Sequence, residues 1–377
     1  MFSSWFRSAA PASAQPQEIR VKELWVYPIK SCRGTSVHES AYTEEGFLYD
    51  RQWMIVEEGT HKFLTARTIP KMVLIHPVIN YTTQTLDIFV PSPPSSSSLS
   101  SEKEKPSSAG ETFSIPLAHP SSDPSLSSTL DHDFSVWGCD PQDGFIVQHV
   151  ALTSALSAFM GRSVLLIRKG LTRRSVADVP GVVHSEGLDP VLGFADFYSF
   201  LIASQTSLSE LTSRIPSLSS HKSFNASRWS KSAIAERGGL EITRFRANIL
   251  VEGVKEAWEE DGWKRIRIGG GGKEGEEGEE KGEGEGEVFE VGFRCARCML
   301  PSVDPSTAVR DPLLPDAVML RDRACQPLSA PKVCFGMLSS PLKKDGGRVR
   351  VGDRVSVEEA YERPARGGPW VRDEDRV

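Results

Sequence analysis

Two cysteines separated by two residues, Cys295 and Cys298, are the sharpest chemical feature of the sequence. Thiols at this spacing suit a metal site, a redox disulfide or two inert core residues. A structural zinc site needs a second pair of ligands, but Cys325 and Cys334 lie nine residues apart and no histidine follows Cys295. A thioredoxin-type pair opens a helix, whereas Pro301 follows this pair in strand-like sequence. Taken alone, the pair leaves all these interpretations open.

Basic, hydroxyl and amide side chains accompany the thiol pair elsewhere in the chain. They are Lys30, Ser31, Arg51, Arg244, Arg246, Asn248 and Arg297, and the carboxylate of Asp50 precedes Arg51. Alternation along a strand would place Arg244, Arg246 and Asn248 on one face. Donors of these kinds suit a ligand that carries a phosphate and many heteroatoms. A surface salt bridge also explains each of them separately, so the prediction depends on their joint occurrence with the thiols.

The bulk composition restricts the function classes. The net charge of -6 is matched by one stretch, 273–287, with eight glutamates and two lysines, so the rest of the chain is neutral. A nucleic-acid partner is therefore not expected. Six cysteines in 377 residues indicate a reducing compartment. Apolar runs of about 18 residues do not occur, so no transmembrane helix is expected.

Strand-like segments dominate the sequence. They are short, rich in β-branched and aromatic residues, and bounded by Gly, Pro or Asp. They include VKELWVYPIK, WMIVEE, MVLIHPVIN, SVLLIRKG, NILVEG and RVRVGDRVSV. Helical periodicity is confined to HVALTSALSAFMG, which stops at Gly161, and SQTSLSELTSRI. The sequence predicts an α+β fold, mostly β, with two units that meet between about residues 160 and 195.

Two low-complexity tracts interrupt the foldable sequence, at about 91–108 (Ser-rich) and at 269–287 (Gly/Glu-rich). Neither tract has the apolar residues that would offset the entropy of ordering it. Each tract lies between two strand-like runs: LDIFV and ETFSIPL flank the first, and WKRIRIG and VFEVGF flank the second. Both are predicted to be overgrown hairpin loops inside domains.

The ordered set of motifs resembles the MOSC-domain family. The motifs are YPIKSCRG, YDRQWMIV, TARTIPKMVLI, FRANILVEG, WKRIRIG, CARCMLPSVDP and VRVGDRV. The resemblance covers about residues 20–90, 130–170 and 190–356, and is closest to the amidoxime-reducing components and the bacterial N-hydroxylaminopurine-resistance type. It implies a disordered N-terminus (1–19), a MOSC N-terminal β-barrel-like domain (20–165), a MOSC β-barrel domain with a few helices (190–356) and a tail (357–377).

The resemblance implies a molybdenum–molybdopterin cofactor. In this family the second cysteine of the C-x-R-C motif is the protein ligand of molybdenum. That position is Cys298, which is also the expected catalytic residue, and a soft thiolate suits a metal that the pterin dithiolene already holds. Cys295 is expected to be a small core residue beside the site. The expected cofactor-binding residues are Lys30, Ser31, Arg51, Asp196, Arg246, Asn248, Ala296 and Arg297.

The implied activity is the reduction of N-hydroxylated substrates such as amidoximes or hydroxylamines. A nicotinamide or flavin fingerprint does not occur in the chain, so electrons are expected from a partner of the cytochrome b5 and reductase type. The alternative is a cofactor carrier or a maturation role related to the molybdenum-cofactor sulfurases. Those proteins carry a large pyridoxal-phosphate domain, for which 377 residues leave no room. A cofactor-free scaffold is a third possibility.

Three local features bear on pocket and compartment. Asp196 keeps the family's acid, but Phe197 and Tyr198 stand where the family has hydroxyl residues, which predicts a different substrate pocket. Arg173 and Arg174 correspond by spacing to arginines at the pocket entrance. The first twenty residues are rich in Ser and Ala and nearly free of acids, as in transit peptides. Mitochondrial or cytoplasmic localisation is therefore expected.

Overall fold

A computed structural model describes ten stretches of the chain: 18–93, 109–123, 128–134, 136–137, 142–175, 190–217, 239–269, 286–311, 313–326 and 332–362. The predicted transit-like N-terminus up to residue 17, the insertion interiors 94–108 and 270–285, and the tail after residue 362 lie outside these stretches.

Strands form most of the regular structure in the described stretches. They are β1 (Arg20–Val26), β2 (Thr35–Val37), β3 (Glu39–Thr43), β4 (Gly46–Phe47), β5 (Trp53–Glu57), β6 (His76–Asn80), β7 (Thr85–Pro91), β8 (Gly110–Pro116), β9 (Ser128–Phe134), β10 (Gln142–Val147), β11 (Val164–Lys169), β12 (Phe200–Ser204), β13 (Ile249–Glu252), β14 (Trp263–Ile268), β15 (Glu287–Ala296), β16 (Ala324–Gln326), β17 (Lys332–Pro341), β18 (Gly347–Arg350) and β19 (Val355–Ala360). The α-helices are α1 (Val150–Met160), α2 (Gln205–Ser213) and α3 (Asp316–Asp322). Short 3-10 helices lie at Pro70–Leu74, Ile242–Arg244, Glu259–Gly262 and Leu300–Ser302. The predicted α+β, mostly β fold is confirmed.

The largest sheet contains both the first and the last described strand, β1 and β19. Its order is β19-β14-β15-β17-β12-β13-β1-β2, with β16 on β17. Within it β12 and β13 run parallel, and β1 runs antiparallel to β13. Smaller sheets have the orders β5-β11-β10-β9, β18-β3-β4 and β6-β7-β8. β1 pairs with β13 and β3 pairs with β18, so strands near the start of the chain pair with strands that follow residue 190. The domain bounds given above therefore stay a prediction.

Both predicted hairpins are confirmed. β7 pairs with β8 from Thr85↔Pro116 to Pro91↔Gly110, and β14 pairs with β15 up to Ile268↔Glu287. Each long tract therefore connects the two strands of one antiparallel pair. One strand expectation is wrong, because MVLI in MVLIHPVIN belongs largely to the 3-10 helix Pro70–Leu74. A proline at the start of this segment has a φ angle that already suits a helical turn.

Within the main core, aromatic side chains join the largest sheet to the β18-β3-β4 sheet. Phe200 on β12 meets Phe47 on β4 at 4.9 Å and Phe289 on β15 at 5.3 Å, both nearly edge to face. A second buried cluster includes residues of α2 and α3 together with Phe245 and Phe335, whose rings stack at 3.9 Å. Cys295 belongs to this second cluster, as expected for a core residue.

The helices predicted from periodicity are confirmed as α1 and α2, whereas α3 was missed. His149 caps the N-terminus of α1 by accepting a hydrogen bond from Leu152 N, and Ser204 caps α2 through Ser207 N. α3 is only seven residues long, too short for a periodic signal. In the described part of the chain, no helix combines the length and apolarity needed to cross a membrane.

Gly161→Ala is expected to destabilise the protein by about 1 kcal/mol. Gly161 ends α1 with φ 71° and donates its N–H to Ser157 O. Apart from its two chain neighbours, no residue comes within 4 Å of the position that a Cβ would take. The cost is therefore conformational rather than steric. Chemical denaturation of Gly161→Ala and Gly161→Asn tests this, because asparagine tolerates the left-handed region and should lose less. Equal losses would contradict the prediction.

Candidate functional site

One cavity of about 120 Å³ has all nine predicted site residues in its walls. They are Lys30, Ser31, Arg51, Asp196, Arg246, Asn248, Ala296, Arg297 and Cys298. Its volume is several times the roughly 10–15 Å³ that a single water needs. The structure therefore brings together residues from five separate segments of the sequence, and their ligand stays a prediction.

Strand pairing explains how four of these segments meet. Since β1 runs antiparallel to β13, the turn after β1 that carries Lys30 lies near the segment before β13 that carries Arg246. β12 runs parallel to β13, so Asp196, which precedes β12, reaches the same end of the sheet. Arg297, just after β15, joins them through a hydrogen bond of 2.7 Å from Nη2 to Phe245 O.

Three of the nine predicted residues in the cavity wall have left-handed backbones. The φ angles are 68° at Ser31, 50° at Arg51 and 57° at Arg246. Non-glycine residues adopt such angles rarely, and the energetic cost concentrates at functional sites. These conformations are therefore independent evidence that the cavity is a built site.

Asp196 collects three donors on one side of the cavity. It forms an ion pair with Lys30. It also accepts a hydrogen bond of 3.0 Å from Arg67 Nη2 and one of 2.9 Å from Trp137 Nε1. Burial acts to raise the pKa of this carboxyl, but Lys30 and Arg67 outweigh burial and hold the pKa well below its usual range. Burial also lowers the pKa of Lys30 to about 8, against the opposing effect of Asp196.

Asn248 organises the opposite side. Its Oδ1 accepts hydrogen bonds of 3.1 Å from Arg51 Nη1 and 3.2 Å from Leu201 N. Its Nδ2 donates a hydrogen bond of 3.1 Å to Trp25 O. Arg51 also forms an ion pair with Asp50 and donates 3.1 Å from Nη2 to Arg246 O. The buried amide therefore orients Arg51 and ties β1 to β12.

The two thiols of the C-x-R-C motif differ in environment. Cys298 is partly exposed and lines the cavity, whereas Cys32, Cys295 and Cys334 are buried. Burial raises the pKa of the Cys295 thiol, although Arg297, whose Nη1 lies 2.9 Å from the Sγ, acts to lower it. A buried thiol with a raised pKa is less able to bind a metal as thiolate.

Two expectations about arginines are wrong. Arg244 is not on one strand face with Arg246 and Asn248, because a 3-10 helix and the left-handed Arg246 interrupt the extended chain. It lies 2.5 Å from Asp304 instead. Arg174 is fully buried and donates 3.2 Å to Gly193 O, so it supports the backbone before Asp196 rather than lining the entrance; Arg173 is exposed.

Sequence reasoning missed other residues in the cavity wall. They are Thr65, Arg67, Trp137, Ala195, Phe200, Leu201, Phe245, Leu300 and Leu338, whereas Phe197, Tyr198 and Cys295 were expected at or beside the pocket. Arg67 lies in TARTIPK, one of the motifs that carried the resemblance, so that motif was the available signal. Trp137 had no signal, because its contact with Asp196 joins residues 59 positions apart.

The cavity has more positive than negative charge. Five basic side chains line it (Lys30, Arg51, Arg67, Arg246 and Arg297), against Asp196 in the wall and Asp50 behind Arg51. Among the described residues, no acceptor reaches the buried Arg246 Nη2 or Arg297 Nε. Buried polar groups are normally paired, so these N–H groups fit an anionic ligand rich in acceptors. Within the same residues, no group of three or more His, Cys, Asp or Glu could hold a metal ion.

Anion binding is expected to weaken as the pH rises through about 8, because the buried Lys30 then loses its proton. Lys30 has a folded-state pKa below its unfolded value, so its deprotonation favours folding, and weaker binding would not reflect unfolding. Titration with sulfate, whose charge is constant here, should show a loss of roughly 10-fold. Lys30→Arg should remove this pH dependence. The same decline in Lys30→Arg would show that another group titrates.

Two family models match separate regions of the chain. The family model of the MOSC N-terminal beta barrel domain matches residues 18–116, and that of the MOSC domain matches residues 189–356. The chain is 27% identical over 363 residues to mitochondrial amidoxime reducing component 2 of Rattus norvegicus, covering 93% of this chain and 87% of that protein. It is 26% identical over 364 residues to mitochondrial amidoxime-reducing component 1 of Mus musculus, covering 93% and 86%. Molybdenum cofactor sulfurase of Solanum lycopersicum is 28% identical over 344 residues, which are 88% of this chain and 35% of that protein. The chain therefore belongs to the MOSC-domain family, with a MOSC N-terminal β-barrel domain followed by a MOSC domain.

Proposed function

We propose that this protein binds molybdenum–molybdopterin and reduces N-hydroxylated substrates of the amidoxime or hydroxylamine type. The observation that carries the proposal is the combination, in one cavity, of the partly exposed Cys298 thiol with an excess of cationic side chains. A phosphate-bearing pterin needs the cations, and a metal that it already holds needs one soft protein ligand. The amidoxime-reducing relatives, aligned over most of both chains, support the substrate class.

Each residue of the site has a distinct part in this proposal. Cys298 is the metal ligand and catalytic residue, and the free N–H groups of Arg246 and Arg297 donate to the phosphate or pterin. Lys30, Ser31, Arg51 and the backbone at Ala296 complete the binding surface. Asp196 and Asn248 orient Lys30 and Arg51. When bound, the cofactor supplies the two-electron chemistry that removes oxygen from the substrate nitrogen.

Apolar side chains suit the remainder of the substrate. Phe197, Leu300 and Leu338 line the same cavity and are only partly buried. Hydrocarbon placed against them gains about 25 cal/mol for each Å² removed from water. The cavity thus offers an apolar surface for the carbon skeleton beside the cationic surface for the cofactor.

Electrons reach the site from a protein partner of the cytochrome b5 and reductase type, in the setting of the mitochondrion. The names of the amidoxime-reducing relatives support the compartment, and the family resemblance supports the donor.

A cofactor carrier or a maturation role is the second candidate. The similarity to the sulfurase of Solanum lycopersicum, over 35% of that protein, favours it. Such a role uses the same cationic cavity and Cys298 but needs no turnover of a substrate. Binding measurements alone do not separate the two roles.

Metal analysis and single turnover together test the proposal. Full-length protein is purified from cells that make the cofactor, and its molybdenum and pterin contents are measured. The protein is then reduced chemically and mixed with an aromatic amidoxime, and the amidine is quantified. Near-stoichiometric molybdenum with amidine formation supports the reductase, whereas molybdenum without turnover of any N-hydroxylated compound supports the carrier. Folded protein without molybdenum excludes both.

A further inference from the structure

Tyr27 lies against the two arginines at the centre of the cavity wall without lining the cavity itself. Its ring is buried, with 1% of the residue exposed. The Arg51 guanidinium lies 4.5 Å from the ring centroid and the Arg246 guanidinium lies 4.3 Å from it. One aromatic ring thus contacts both cations.

The backbone and hydroxyl of Tyr27 contact the same two segments. Its N–H donates 2.7 Å to Asp50 Oδ1, the carboxylate that pairs with Arg51. Its carbonyl accepts a hydrogen bond of 2.8 Å from Arg51 N. Its hydroxyl donates a hydrogen bond of 3.3 Å to the carbonyl of Ala247, the residue after Arg246. Tyr27 therefore connects two segments that lie almost 200 residues apart in the chain.

The two arginines repel each other at this position. Burial, and then the charge of Arg51, lower the pKa of Arg246 to about 10. Asp50 forms an ion pair with Arg51, whereas Arg246 donates 2.7 Å to Cys32 O and keeps one N–H group free. The face of an aromatic ring attracts a cation, which an aliphatic side chain of similar size does not. The Tyr27 ring thus partly offsets the positive charge of two arginines that, among the described residues, have the single carboxylate of Asp50 beside them.

The neighbouring chain leaves room for the ring. A Cβ at Gly34 would lie 2.4 Å from Cε1 of Tyr27, so a side chain there would displace the ring. The backbones of Arg51 and Arg246 are both left-handed, at φ 50° and 57°. These conformations leave the two guanidiniums in contact with one ring.

We propose that Tyr27 is a positioning residue that holds Arg51 and Arg246 in a single arrangement, ready to bind the anionic part of the ligand before that ligand arrives. The identity of the ligand rests on the proposed function. The preorganisation does not, because it concerns an anion that two guanidiniums can bind together.

The test compares Tyr27→Phe, which keeps the ring, with Tyr27→Leu and Tyr27→Met, which remove it but stay apolar. Full-length protein is produced without the cofactor, and binding of inorganic pyrophosphate is measured by calorimetry. Tyr27→Phe should bind within about 3-fold of wild type, whereas the variants without the ring should bind at least about 10-fold more weakly. Nitrogen–proton spectra of the arginine side chains should show ring-shifted Nε–H signals in wild type and Tyr27→Phe only.

Two results would overturn the proposal. One is wild-type pyrophosphate affinity in a folded variant without the ring, and the other is no pyrophosphate binding by wild type. Using both Leu and Met guards against one variant failing to fold, and the side-chain spectra of wild type and Tyr27→Phe report on the ring contacts independently. If the ring dependence is found but the loaded protein reduces no N-hydroxylated compound, the positioning role stands and the reductase function fails.

Discussion

Cys298→Ser should lower the proposed reductase activity at least roughly 100-fold, because losing the proposed metal ligand should cost no less than losing its supporting contacts. Serine keeps the size and position of the side chain but replaces a soft sulfur with a hard oxygen. Cys298 is the accessible thiol among those that the structure describes in the cavity wall. The cationic residues remain in this variant, so the pterin should be retained better than activity. Molybdenum content, pterin content and the number of sulfur ligands from X-ray absorption measure the effect.

Cys295→Ser is the matched control, three residues away in the same cavity wall. A hydroxyl there can still accept the hydrogen bond that Arg297 Nη1 makes at 2.9 Å. Burial raises the pKa of the Cys295 thiol, so its thiolate is disfavoured and its loss should leave one more sulfur ligand than the loss of Cys298 does. Loss of a sulfur ligand in Cys295→Ser alone would reverse the assignment.

Asp261→Asn should lower the free energy of unfolding by about 3–5 kcal/mol, because it removes a buried negative charge that two buried arginines share. Asp261 Oδ2 lies 3.3 Å from Arg294 Nε and 2.9 Å from Arg323 Nη1, and all three side chains are at most 6% exposed. Arg323 also donates 3.2 Å to Cys334 O and lies 4.0 Å from the Trp258 ring centroid.

The effect of this change should extend to the candidate site. Arg294 is on β15 directly before Cys295, and Ala296 pairs with Cys334 on β17. Asp261 thus braces both strands behind the loop that carries Arg297 and Cys298. Molybdenum retention on warming should therefore fall in parallel with stability.

Glu39→Gln is the control for Asp261→Asn, because Glu39 also contacts two arginines. It lies 2.7 Å from Arg348 and 3.0 Å from Arg350, but these side chains are 47–57% exposed. Water screens the pairs, so the expected loss is at most about 1 kcal/mol. Denaturant titration measures the free energy of unfolding of both variants. Equal decreases in Asp261→Asn and Glu39→Gln would show that burial does not strengthen the Asp261 pairs.

Local patterns in the sequence were enough for several elements. The three- and four-residue repeat before Gly161 predicted α1, and the strand-like runs on either side of each low-complexity tract predicted the β7–β8 and β14–β15 hairpins. These elements depend on neighbouring residues, whose periodicity and turn chemistry are visible in one dimension. The segment TRFRAN failed as a strand because the reversal at Arg246 is a left-handed backbone on a residue type that rarely signals it.

For the site, the sequence by itself determined which nine residues to expect, through motifs that resemble the family, and all nine line one cavity. Only the tertiary structure decided which of them contact each other and which further residues support them. The ion pair of Lys30 with Asp196, the contact of Trp137 with that carboxylate and the ring of Tyr27 against Arg51 and Arg246 are examples. The physical reason is that such contacts join residues dozens to hundreds of positions apart. Strand pairing and burial set their distances and charges, and no local pattern records either.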